Sequence, residues 1–205
     1  MRALYLALIA AVVAGCAFGR TASYSETAIA IPAADGSGTI AVAVQDKRPY
    51  VLSGKKPEHF VGLMRGGFGN PFDVNTSSGG PLAADLSSVM SRSLVAKGYK
   101  VKVVALAPQE SAQVVKAKLA EAAAKRSALL TLTEWKSDTM MNIGILYDAT
   151  LAILNENGEQ LATSSIRGKD NLGYAGISPE PAIMAGFARK LELLFGDPGV
   201  VAALK

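Results

Sequence analysis

The sequence predicts an α/β domain of the α+β kind, with one mixed five-stranded sheet and elements in the order β-α-β-α-β-β-β-α. Three observations predict it. Half of the 205 residues are apolar, ample for a packed core and too many for wholesale disorder. In the first half, short apolar runs are separated by stretches of helical spacing, the pattern of strand–helix–strand crossovers. In the second half, two apolar runs flank Asn157-Gly158, a strong hairpin signal.

The first strand is 40–44, Ile-Ala-Val-Ala-Val. It is apolar on both faces, as a central strand is. Residues 49–82 hold seven Gly and four Pro and cannot make a long helix. They read as a long Gly/Pro-rich loop. Leu82, Leu86, Val89, Met90, Ser93 and Leu94 follow helical spacing, with Pro81 suited to the start and Gly98 to the stop. A second strand follows at 101–105, with Lys100 and Lys102 on its other face. Pro108 opens a second helix that turns Ala112, Val115 and Leu119 inward. Lys125-Arg126 stand at its negative end. Strands at 129–136, 143–154 and 160–167 come next. Ser178-Pro179 opens the last helix, which buries Met184, Phe187, Leu191 and Leu194 and stops at Gly196-Asp197-Pro198. A helical turn at 200–204 closes the chain.

Right-handed crossovers make the first three strands parallel. Two hairpins then make the fourth antiparallel. Strands one, three and five therefore end at one edge of the sheet, and the chain enters strand one at the opposite edge. On this connectivity a partner surface at the first edge points away from whatever precedes strand one.

The N-terminus carries the address. Met1-Arg2 is followed by an apolar run over 3–14, too short to span a bilayer, which takes about 20 residues. A basic start and a short apolar stretch fit a secretory signal. Val13-Ala14-Gly15-Cys16 resembles the lipobox of bacterial lipoproteins. That resemblance implies cleavage before Cys16 and acylation of it, and more than one acyl chain gives stable anchoring. Ala17 implies the outer membrane by the enterobacterial sorting rule. The domains are then a signal peptide over 1–15, a lipidated N-terminus and flexible tether over 16–38 with a short edge strand near 27–31, and one periplasmic domain over 39–205. The mature chain has 190 residues and a formal charge of +3. That mild excess, in a secreted lipoprotein, argues against nucleic acid. One Cys and one His exclude disulfide frameworks, Cys-rich zinc sites and multi-histidine metal centres.

With these elements placed, the chain resembles the YajG-type outer-membrane lipoproteins of Gram-negative bacteria. The resemblance is carried by Val44-Gln45-Asp46-Lys47-Arg48, Leu94-Val95-Ala96-Lys97-Gly98-Tyr99, Ala149-Thr150-Leu151-Ala152-Ile153, the Asn157-Gly158 turn, and Arg167 with Asn171-Leu172-Gly173. It covers 40–190 and implies a location and a fold more than an activity. The 49–82 insert and the longer second helix depart from the family pattern.

Among candidate sites, the 49–82 loop mixes Tyr50, Phe60, Met64, Phe68 and Phe72 with flexible Gly. Aromatics and Met are enriched in protein contacts, and the alternative is that they fold back over the sheet edge. Residues 91–126 carry eight basic side chains against two acidic ones. Arg92, Lys97, Lys100, Lys102, Lys116 and Lys118 are candidate contacts for peptidoglycan or lipopolysaccharide, or else a solvated face. His59 is the one candidate general base of its type, and no Gly-x-Ser-x-Gly elbow accompanies it. The stretch 65–70 lacks the Gly-Lys-Ser/Thr ending of a phosphate loop. Asp46–Arg48 and Arg167–Asp170 are candidate ion pairs pinning loops, and Trp135 a core or edge anchor.

The expectation is a non-catalytic, membrane-anchored envelope lipoprotein. It needs no metal and no cofactor beyond the covalent lipid on Cys16. Its partners are the bilayer and an envelope protein, with an anionic envelope polymer as the alternative and a hydrolase using His59 as a remote one.

Overall fold

A computed structural model describes residues 20–32 and 36–205. The signal segment, the lipobox residues Val13, Ala14 and Gly15, and Cys16 lie outside the described residues.

The fold is a mixed sheet with helices packed on it. Among the described residues it has eight strands, three more than expected. The long strand β6 (Arg126–Thr139) organises it. One of its edges pairs antiparallel with β7 (Asn142–Asn155), which pairs in turn with β8 (Gln160–Tyr174). Its other edge is shared by two strands in succession. β2 (Thr39–Asp46) runs parallel to it as far as Leu132, and β3 (Phe60–Arg65) takes over from Ser137 to Thr139. β5 (Lys100–Val103) lies outside β2. β4 (Pro71–Thr76) forms a hairpin with β3, and β1 (Arg20–Ala22) pairs parallel with β4. The helices are α1 (Pro49–Leu52), α2 (Leu82–Val95), α3 (Ala112–Glu121), α4 (Glu180–Phe195) and α5 (Pro198–Ala203).

Alternation explains the layering. Successive strand residues face opposite sides of a sheet. Ile40, Val42 and Val44 face the main core, with Leu86, Met90 and Leu94 of α2 and Phe187 and Leu191 of α4. Ala41 and Ala43 face a smaller cluster containing Val115 and Leu119 of α3. So α2 and α3 cover opposite faces of β2, which is why that strand is apolar throughout. In β6, Ala128, Leu130 and Leu132 point into the core, and so do Trp135, Ser137 and Thr139. The two sets are out of phase by one residue. A bulge between Leu132 and Glu134 restores the register, since a one-residue slip would turn the second set outward. The bulge lies between the stretches of β6 paired with β2 and with β3.

Four expectations are corrected. The 49–82 segment is no structureless loop: it holds α1 and the β3–β4 hairpin, because the extended second half of β6 offers an edge for β3. α3 starts four residues beyond Pro108, at a Ser111 cap whose hydroxyl accepts from Val114 N, and Ala112 is exposed. Ser93 is half-buried rather than core. The tether reading fails over 20–32. No strand forms at 27–31. Instead Ala22, Tyr24, Ile29 and Ile31 are buried, and Tyr24 packs on Phe187 with ring centroids 5.7 Å apart. Ser23 N donates to Glu180 Oε1 at 2.8 Å and Ala30 N to Glu192 Oε1 at 2.9 Å.

This segment also changes the direction of entry. β4 runs against β3, and β3 runs with β6. β1, parallel to β4, therefore runs against β6. Its first residue, Arg20, points toward the end of the sheet where β6 finishes, not toward the opposite edge as expected.

Candidate functional site

The end of the sheet where β6 finishes gathers three connections, as the topology predicted. They are the β3–β4 turn at 66–70, the β6–β7 turn at 140–141, and the segment after β8 at 175–179. Between them runs a groove of about 1030 Å³, lined by Arg20, Phe72, Thr139, Ile177 and Ile183 among others. Arg65 and Asp138 brace its wall through two hydrogen bonds of 2.7 Å each. The Arg65 guanidinium holds the Asp138 carboxyl below the usual aspartate range. The turns are held by backbone bonds: Gly66 N donates to Asn70 O at 2.9 Å, and Ala175 N to Met141 O at 2.9 Å.

The five residues singled out from 49–82 are not brought to one surface. Phe68 is fully exposed and Phe72 is 54% exposed, both at the hairpin's outer end. Met64 is half-buried against the core. Phe60 is buried and cannot contact a partner, because β3 turns it inward. Tyr50 is half-buried, donates to Glu134 Oε1 at 2.7 Å, and meets the Phe60 ring edge-on at 5.5 Å. Burial pushes its phenol pKa up. Sequence reading missed Met140, Met141, Tyr174 and Ile177, which are 48, 71, 79 and 97% exposed at this same end. The available signal was that these apolar residues fall in charge-free stretches at the ends of predicted strands, but only the fold brings those stretches to the same end of the sheet as Phe68.

The basic band is divided rather than continuous. Arg92 lies on α2, and Lys116 and Lys118 on α3, across the sheet from each other. Arg92 Nη2 donates to Thr27 O at 3.1 Å. Lys118 pairs with Glu110 at 2.5 Å, and Lys102 Nζ donates to Ala122 O at 2.6 Å. Lys97 is half-buried, and Lys100 is exposed on the edge strand β5. His59 sits just before β3, where its carbonyl accepts from Thr76 N at 2.9 Å. Its imidazole makes no hydrogen bond to any described residue.

Of the two expected pins, Asp46–Arg48 forms and is buried. Arg167 pairs instead with Asp148 at 3.2 Å, and Asp170 with Lys190 at 2.5 Å. Tyr147 Oη also donates to Asp170 at 2.9 Å, and the Lys190 ammonium stands 4.3 Å over the Tyr147 ring. Burial pulls the Lys190 pKa down, but Asp170 and Tyr147 outweigh it and hold it above the ordinary lysine value. The amine stays protonated and acts as a tie between α4 and the sheet. Trp135 is a core anchor, fully buried and stacked on Phe187 at 4.6 Å.

No protein-family model matches the chain, and no curated protein matches it. Solved structures with a similar chain path include protein XCC0632 from Xanthomonas campestris, described with the family model DUF330. It is 12% identical over 85% of this chain and 88% of that one, with a TM-score of 0.49. The PelC dodecamer from Paraburkholderia phytofirmans is 14% identical over 80% and 93% of the two chains, with a TM-score of 0.43. Lipoprotein GNA1162 from Neisseria meningitidis is 10% identical over 76% and 95%, with a TM-score of 0.40.

Proposed function

We propose that the chain is a lipoprotein of the bacterial envelope, anchored in the outer membrane by acyl chains on Cys16 and facing the periplasm. It works by contact rather than catalysis, in assembly or maintenance of the envelope. The lipobox and the short motifs shared with YajG-type lipoproteins support the address. The observation that carries the reading is where the packed domain begins. Tyr24 is already in the core, and β1 starts at Arg20, four residues after Cys16. Four fully extended residues reach at most about 14 Å, so a lipid on Cys16 would hold this domain against the membrane. Cys16→Ser is expected to leave an uncleaved, unacylated precursor. A normally sized mature protein from that variant would sink the reading.

The protein contact we assign to the outer edge of β8. This strand has 15 residues and, among the described residues, pairs with β7 alone. A long free edge invites strand addition by a partner. A photo-crosslinking residue at Thr163 should trap a protein in cells, and absence of any protein adduct there counts against this assignment.

One observation favours the second reading, an anionic envelope polymer. The end of the sheet where β6 begins collects Lys97, Lys100, Lys125, Arg126 and Lys205 against Glu156 and Glu159. Salt-sensitive retention on isolated cell wall is its test.

A further inference from the structure

The two ends of the sheet differ in charge. At the end where β6 finishes, the stretches 66–72, 139–147 and 171–179 contain no Asp, Glu, Lys or Arg. In a chain whose residues are 19% charged, three uncharged connections at one end set that end apart from the rest of the surface. Six of the twelve exposed large apolar side chains among the described residues stand there: Phe68, Phe72, Met140, Met141, Tyr174 and Ile177. Apolar side chains scattered singly over a surface need no explanation, whereas a cluster marks a contact. The opposite end, roughly 45 Å away along the 14 residues of β6, carries the seven charged residues named above.

We propose that the three uncharged connections at this end form a second membrane-contact site, whose six apolar side chains enter the interfacial zone of the bilayer that holds Cys16. The proposal rests on the lipoprotein reading and names the surface that the anchor presses down. Lipid is the occupant because of where the chain leads. Arg20 lines one groove with Phe72 and Ile177, and Cys16 is at most about 14 Å of extended chain from Arg20, so the anchor joins the domain at this end of the sheet. Their chemistry fits an interface. Tyr, Phe, Met and Ile bury apolar surface without taking a charge out of water. The groove behind these loops is also lined by Arg65, which pairs with Asp138, by Asp73, which pairs with Lys56, and by Glu180, while exposed Arg20 and Lys169 are placed to meet lipid phosphates. An acyl anchor combined with a shallow apolar contact fixes orientation as well as attachment. β6 then stands away from the membrane and the charged end faces the periplasm.

The test uses the full-length chain, processed in a Gram-negative host and reconstituted in vesicles of phosphatidylethanolamine and phosphatidylglycerol. Phe68→Cys, Ile177→Cys and Glu156→Cys are each labelled with an environment-sensitive nitrobenzoxadiazole dye. The first two sites are at least 97% exposed, so labelling them leaves the core intact. Dye at 68 and 177 is expected to shift to the blue and to be quenched by spin-labelled lipid, while dye at 156 stays in water. If the chain is acylated and all three dyes report water, the proposal is overturned and the lipoprotein reading stands. If the dyes at 68 and 177 shift only after envelope proteins are added, the occupant is a protein and the proposal is overturned. If mass analysis finds the Cys16 thiol free, the lipoprotein reading fails and the proposal with it.

Discussion

Arg48 and Asp46 form a fully buried ion pair, with Nη2 to Oδ2 at 2.6 Å and Nε to Oδ1 at 2.8 Å. The remaining donors of the guanidinium go to main-chain carbonyls: Phe60 O at 2.6 Å, Trp135 O at 3.1 Å and Glu58 O at 3.2 Å. All five N–H groups are thus matched. Burial pulls the Arg48 pKa down, and the Asp46 carboxylate more than offsets this, holding it above the ordinary value. The pair joins the end of β2, the start of β3 and the middle of β6, the junction at which β6 exchanges one neighbour for another. Arg48→Met would leave the buried Asp46 carboxylate uncompensated, with only the residue-48 amide (3.2 Å from Oδ1) still donating to it, and would take the guanidinium donors from three carbonyls. The expected loss is about 3–5 kcal/mol, read from urea unfolding. Adding Asp46→Asn to that variant is expected to recover part of it. A change within error in the single variant would show that the junction does not depend on the pair.

Phe187 meets the Tyr24 ring at a tilt and stacks on Trp135, and the three rings bind the N-terminal segment into the core. Tyr24→Ala opens a large void and is expected to cost about 3–5 kcal/mol. Residues 20–32 should resist protease in the native protein. Trp135 is the one tryptophan in the chain, so its emission is a clean reporter: blue-shifted when native, moving to the red on unfolding. Rapid cleavage near 20–32 with unchanged Trp135 emission would restore the flexible-tether picture.

Much of this architecture was legible in the sequence. The strands β2, β6, β7 and β8 and the helices α2 and α4 announce themselves by local period, because each has one face or both in the core. The Asp46–Arg48 pair was legible as a short-range charge pattern next to a strand end. The β3–β4 hairpin was not. Gly62, Gly66, Gly67, Gly69 and Pro71 depress both helix and strand propensity, and the hairpin exists because β6 extends past β2 and offers an edge. β1 has three residues and depends on a partner more than fifty residues later, so local reading could not find it. The apolar end was hidden for the same reason: each loop is ordinary alone, and only the topology sums them.

Gly62 is required by close approach rather than by backbone conformation. A Cβ there would lie 2.2 Å from Ser137 Oγ and 2.8 Å from Ser137 O, where β3 pairs with β6. The second contact is main chain and cannot rotate away. Gly62→Ala is expected to push β3 outward and cost about 1–3 kcal/mol. Amide exchange over 60–76 should rise more than over 142–174. Uniform change across the sheet, or none, would refute this account of the position.

Stability on the acid side should depend on Asp138 and Asp170. Arg65 lowers the Asp138 pKa against the opposing effect of burial. The Lys190 hydrogen bond lowers that of Asp170, again against burial. A carboxyl whose folded pKa lies below its unfolded value binds fewer protons when folded. Its contribution is therefore full above the unfolded value, about 3.9, and is lost as pH falls through the depressed folded value. Arg65→Met and Lys190→Met should each lower the urea midpoint at neutral pH. Below about pH 3 that difference from the parent should narrow, because the partner acids are protonating in both. High salt should shrink the Arg65 effect, since both side chains of that pair are about a third exposed. A midpoint difference that stays constant from neutral to acid pH would mean that the two basic residues act through packing of their stems and not through the carboxylates.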